Sequence, residues 1–149
     1  MFTRAESSRI RQEFWTTFGK YMSPIPSSEG HKINWVNYRT GIKDVHFRME
    51  TLEARATICI SIEHKDAGIR ELYFEQLEEL KGMFEGVMEE EWEWKKEDGK
   101  VCKELKGVSV LNREDWGELI GFFKERMMRL DRFWVDGRMG FEGLLSQSG

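Results

Sequence analysis

The sequence predicts an α+β domain built on a mostly antiparallel five-stranded sheet, in the order α-β-β-β-α-β-β-α. Three observations carry this. Apolar residues recur at helical spacing in three separate stretches, short alternating segments lie between them, and Thr40-Gly41 and Asp98-Gly99 supply turn signals between those segments. Helices are then expected to cover the sheet.

Thr3 followed by Glu6 forms a capping-box pattern, and Ile10, Phe14, Phe18 and Met22 repeat every fourth residue, so a helix runs from Thr3 to Ser23. Pro24 and Pro26 end it, and residues 23–32 read as a loop. Ile33 to Arg39, containing Trp35, Val36 and Tyr38, favours a pleated surface and reads as the first strand. Beyond Thr40-Gly41, residues Ile42 to Glu50 alternate. Val45, Phe47 and Met49 take one side, while Asp44, His46 and Arg48 take the other. Residues 52–54 turn the chain back into a central strand, with Ile58, Ile60 and Ile62 on one face and Cys59, Ser61, Glu63 and Lys65 on the opposite one.

Asp66 is placed to cap a helix from Ala67 to about Met88, whose inward stripe includes Ile69, Leu72, Tyr73, Leu77, Leu80 and Phe84. Trp92 and Trp94 share one face of a following strand, and Asp98-Gly99 predicts a hairpin that returns Lys100 to Val110 antiparallel to it. Asn112 caps the last helix, with Glu114 and Asp115 in its first turn and an apolar stripe from Trp116 to Trp134. Glycines at 137, 140 and 143 then predict a single domain over 1–136 and a flexible tail over 137–149.

A chain of 149 residues is long enough to build a core without disulfide or metal staples, and its Phe, Trp and Met content supplies the apolar bulk. There is no basic-then-apolar leader pattern and no apolar run of the roughly 18 residues that span a bilayer, which predicts no membrane association and a cytoplasmic protein. Cys59 and Cys102 have no metal or redox spacing and read as free thiols. Charge is unevenly spread: residues 1–48 carry net +4, 49–99 net -9, and 100–149 net +1. The acidic middle disfavours generic binding of a phosphate backbone but leaves room for a local basic groove.

The order of the first six predicted elements, α-β-β-β-α-β, resembles the core of the restriction-endonuclease-like superfamily, the PD-(D/E)XK nucleases. That resemblance implies an acid on the second strand and an acid-x-lysine on the third, holding a divalent cation beside the scissile phosphate. Asp44 lies on the second predicted strand, and Glu63-His64-Lys65 closes the third. With the turn centred on Leu52 and Glu53, Asp44 faces Ser61 and has Glu63 as its diagonal neighbour, about 7 to 8 Å away. Asp44 and Glu63 would then hold magnesium while Lys65 positions or deprotonates the attacking water, giving phosphodiester hydrolysis. Acid-x-lysine also occurs at Glu79, Glu93, Asp98 and Glu104, and Lys43 stands where the superfamily usually has proline. The competing reading of these residues is a solvated strand face on which Asp44, Arg48, Glu63 and Lys65 form ion pairs. The histidines, His31, His46 and His64, have no zinc-ligand spacing.

Several phrases carry a second likeness: Phe14-Trp15, Lys32-Ile33-Asn34-Trp35, Thr40-Gly41-Ile42-Lys43-Asp44, Glu91-Trp92-Glu93-Trp94 and Glu114-Asp115-Trp116. In these the chain resembles a bacterial family of domains of unknown function, found alone or after a nuclease-like N-terminal domain. The resemblance implies an association with defence or restriction-type proteins and an accessory place. The degenerate first half of the nuclease motif and the acidic balance predict a non-catalytic accessory or partner-binding domain with a restriction-endonuclease-like fold, with a homodimer or another protein as partner. Nucleic acid is not indicated by net charge. Magnesium is the cofactor only under the alternative, a nuclease. Trp35, Trp92 and Trp94 serve either the core or a docking surface.

Overall fold

The structure is a computed structural model and describes residues 1–148, with side chains described through 144. Helix α1, Arg4–Met22, begins as its cap predicts: the Thr3 hydroxyl accepts the Glu6 N–H at 3.1 Å and donates to the Glu6 carboxylate. Its Phe14, Phe18 and Met22 are buried, and Phe14 meets Trp116 and Phe123 edge-on or tilted.

The sheet has four antiparallel strands, β1 (Val45–Leu52), β2 (Arg55–Ile62), β3 (Glu93–Lys95) and β4 (Lys100–Lys106), in spatial order β1-β2-β4-β3. The α+β class stands, but the fifth strand predicted over Ile33–Arg39 does not form. There the Asn34 side-chain oxygen accepts the N–H groups of Val36 and Asn37, both at 3.0 Å, which closes a turn and takes the amides a strand ladder would need. Trp35 is buried by that turn and donates its indole N–H to the Ile25 carbonyl at 2.8 Å. Only two strands therefore precede the second helix, and the α-β-β-β-α-β order is not realised.

Glu53 and Ala54 join β1 to β2, with Ala54 left-handed at φ 57°. At the other hairpin Gly99 has φ 66°, and a Cβ there would stand 3.1 Å from the Ile62 carbonyl oxygen, so glycine is required both by conformation and by close approach. Register also overturns the reading of the cysteines as free thiols. Cys59 and Cys102 are directly opposed on β2 and β4, with α-carbons 4.1 Å apart, and form a disulfide across a sequence separation of 43.

Asp66 caps α2 (Ala67–Glu79), accepting the Ile69 N–H at 3.1 Å. The predicted single helix breaks at Leu80, whose ψ of 4° leaves the helical region, and α3 (Lys81–Met88) follows. Leu72 is exposed rather than inward; Tyr73, Phe74 and Leu77 are the buried residues of α2. Helix α4 runs Trp116–Ser148, so the segment predicted as a tail continues the helix through 148. Gly137 and Gly140 mark close packing instead. Phe141 is fully buried, and a Cβ at Gly140 would lie 2.3 Å from the Gln76 side-chain nitrogen of α2.

The core lies between the helices and one sheet face. Ile58, Ile60, Ile62, Phe47 and Val101 meet it from the sheet, and Phe123, Met127, Leu130, Phe133 and Trp134 from α4. The opposite sheet face is polar. Among the described residues no helix is long and apolar enough to cross a membrane.

Candidate functional site

The β1–β2 turn is centred one residue later than the sequence reading placed it, which moves every cross-strand partner by two. Ser61 faces His46, and the position opposite Glu63 belongs to Asp44, whose carbonyl accepts the Glu63 N–H at 2.7 Å. Asp44 itself precedes β1 in a left-handed conformation, φ 66°. Lys65 lies beyond β2 on the exposed approach to α2, where its carbonyl accepts from Arg70 at 3.0 Å.

Glu63 is clamped by its neighbour on β1. Arg48 donates Nε to one carboxylate oxygen at 2.8 Å and Nη2 to the other at 2.6 Å, and His46 Nε2 stands 3.9 Å away. The Arg48 hydrogen bonds hold the Glu63 carboxyl down at about 2, against partial burial and with help from Ser61 and His46; Arg48 is raised in turn by Glu63. The cross-strand ion pair thus exists for Arg48 and Glu63. Among the described residues no group of three or more His, Cys, Asp or Glu side chains is arranged to hold a metal ion.

Beside that clamp lies a cleft of about 820 Å³ between residues 27–39, the polar face of β1 and helix α4. Its cations are Lys32, Arg39, Arg48 and Arg138, joined by His31 and His46; its acids are Glu29 and Asp131. Asp131 is only 5% exposed and is consumed structurally, accepting the Ser28 N–H at 2.7 Å and the Tyr38 hydroxyl at 2.6 Å. Burial first, and the Asp131 bond second, push the Tyr38 hydroxyl well above its ordinary value. Its ring stacks on Phe47, with centroids 4.9 Å apart. Trp134 fixes the far end of the segment, donating its indole N–H to the Thr40 carbonyl at 2.7 Å. Arg138 packs its side chain over Gly41 and places Nε 3.2 Å from Glu142. Lys32 and Arg39 have no ion-pair partner among the described residues.

Sequence reasoning singled out Glu63 and passed over Asp131, Tyr38, Lys32, Arg39 and Arg138. One signal was available. Asp131 falls on the apolar stripe of α4, four residues after Met127 and three before Trp134, where a carboxylate must find buried donors.

Trp35 and Trp92 belong to the core, and Trp94 packs partly buried against Phe74 and Phe84. No curated protein and no solved structure matches the chain. The sequence profile of a domain of unknown function, DUF4268, matches residues 10–137. That span covers most of the 149 residues, and the chain belongs to the DUF4268 family.

Proposed function

We propose that this domain is a non-catalytic accessory module that binds an anionic partner in the cleft between residues 27–39, β1 and α4. The observation that carries the reading is the inventory of that cleft. Lys32 and Arg39 at its wall have no ion-pair partner among the described residues, while Asp131, its buried acid, is already satisfied by Ser28 and Tyr38. An anion entering there meets positive charge that no internal carboxylate has taken up.

Hydrolysis through Asp44, Glu63 and Lys65 is the competing reading, supported by the adjacency of Asp44 and Glu63 across the hairpin. It requires magnesium to displace the two charge-assisted bonds from Arg48 to Glu63. The indoles of Trp35 and Trp92 are committed to the core rather than offered to a partner. An accessory place beside a nuclease-like domain is what the family resemblance adds.

The test is a titration of the isotopically labelled domain with inorganic pyrophosphate, followed by amide chemical shifts. Signals of residues 27–39, His46 and Arg48 are expected to move together, and incubation with plasmid or single-stranded DNA and magnesium is expected to leave the strands intact. Absence of shifts in that segment overturns the reading. So does strand scission that disappears in Glu63→Ala.

A further inference from the structure

We infer that the anionic partner is a single strand of nucleic acid, lying through the cleft and across one end of the polar sheet face; this rests on the anion-binding reading above. The register supplies the track. His46, Ser61, Lys100 and Lys95 are consecutive cross-strand partners over β1, β2, β4 and β3, and so form one row on one face. His46 also lines the cleft, which joins the row to Lys32, Arg39 and Arg138. Four strands placed about 4.8 Å apart make the row roughly 14 Å long before the cleft is added, with Ser61 buried within it, His46 3.9 Å from Glu63 and Lys95 3.7 Å from Glu93. Lys100 has no ion-pair partner among the described residues.

The same face limits what fits. Two residues along from the row stands Glu93, whose carboxylate reaches the Lys95 ammonium at 3.7 Å, and two further along stand Glu50 and Glu104. A duplex laid on the row would bring its second strand over Glu50 and Glu104, whereas one strand stays clear of those two. The cleft also offers groups that read unstacked bases: the Asn37 amide, the amide nitrogen of Asn34 left over from its turn, and the imidazole of His31. An acidic peptide would match the charge but has no base edges for these groups to read.

The experiment is fluorescence anisotropy of a labelled oligothymidylate with the whole chain over a range of salt concentrations. Four phosphate contacts, at Lys32, Arg39, Arg138 and Lys100, predict a slope of log K against log salt of about -3. Arg39→Ala and Lys100→Ala should each weaken binding at every salt concentration and flatten the slope by about 0.7. Lys106→Ala, at the far end of the polar face, should change neither. Equal affinity for a duplex of the same length, full competition by polyglutamate, or indifference to Arg39→Ala and Lys100→Ala overturns the inference. If pyrophosphate moves the 27–39 signals while the oligonucleotide fails to bind, the anion site stands and the nucleic-acid assignment falls. If neither binds, both fall.

Discussion

Asp131→Ala is the sharpest probe of how the cleft is held. Asp131 sits on the buried side of α4, and its two oxygens accept separate bonds from Ser28 and Tyr38, more than ninety residues away in sequence. Hydrogen bonds to a charged acceptor contribute about 1.5 to 3 kcal/mol each, net of water. Two of them set a gross loss near the upper end of a single-site effect. Two offsets reduce it: Ser28 is exposed enough to regain water, and the variant no longer desolvates a carboxylate. The expected destabilisation is therefore about 2 to 3 kcal/mol, which moves the urea midpoint down by roughly 1 M or more for an ordinary m-value. Asp131→Asn keeps one acceptor and should lose about 1 kcal/mol.

The assay is urea unfolding followed by tryptophan fluorescence, paired with limited proteolysis. New cleavage should fall within residues 27–39, because that segment loses two of its ties to the helix. Tyr38→Phe combined with Asp131→Ala should be less destabilising than the sum of the two single changes, since they remove a shared bond. An Asp131→Ala protein unfolding within about 0.5 kcal/mol of the parent, with an unchanged proteolytic pattern, refutes the reasoning, since that is the range of an ordinary surface change.

Two further outcomes follow from the same geometry. Glu63 has its folded pKa depressed to about 2 from an unfolded 4.5, so the Arg48–Glu63 pair stabilises fully above the unfolded value and loses that contribution as pH falls from 4.5 toward 2. With both side chains about a third to half exposed, the contribution is about 1 kcal/mol after solvent screening; urea midpoints across that window should fall less in Arg48→Ala, and an identical pH profile in the variant would contradict the assignment. The Cys59–Cys102 bridge closes a separation of 43 residues, which in the chain-entropy account stabilises by about 4 kcal/mol. Protein unfolded without reductant should yield no titratable thiol and should lose stability once reduced; two free thiols in that preparation would refute the pairing.

The helices and the two hairpins were legible because their signals are local. Thr3 and Asp66 cap where they were expected to, Asn112 caps a short 3-10 turn over Arg113–Asp115 that leads into α4 rather than α4 itself, and most of the α1 and α4 stripes are buried. The misreadings share a different cause. Ile33–Arg39 has strand composition, but Asn34 supplies an alternative partner for its amides. The glycines after residue 136 lower helix propensity, yet burial of Phe141 and the approach of α2 at Gly140 override it. Placing the first hairpin turn one residue early was enough to set Asp44 against the wrong partner. The pairing of Cys59 with Cys102 depends on β2 and β4, whose register is non-local and is not written in either segment alone.

The same contrast bears on where function resides. The acid-x-lysine at Glu63 stood out because it is a pattern, but its carboxylate is occupied by Arg48. The cleft has no pattern: its cations come from a turn-rich segment, a strand face and a helix far apart in sequence. Residues 27–39 have no strand ladder to order them, and their order comes from bonds to Asp131 together with the indole of Trp35 on Ile25. Lys32 and Arg39 are carried on that pinned segment, so less conformational entropy is lost when they meet an anion than on a free loop. A buried carboxylate beneath a cationic wall would ordinarily oppose anion binding. Here its lone pairs are held by two neutral inward donors, so it forms no ion pair with Lys32 or Arg39, and the four cations lining the cleft outnumber its two acids.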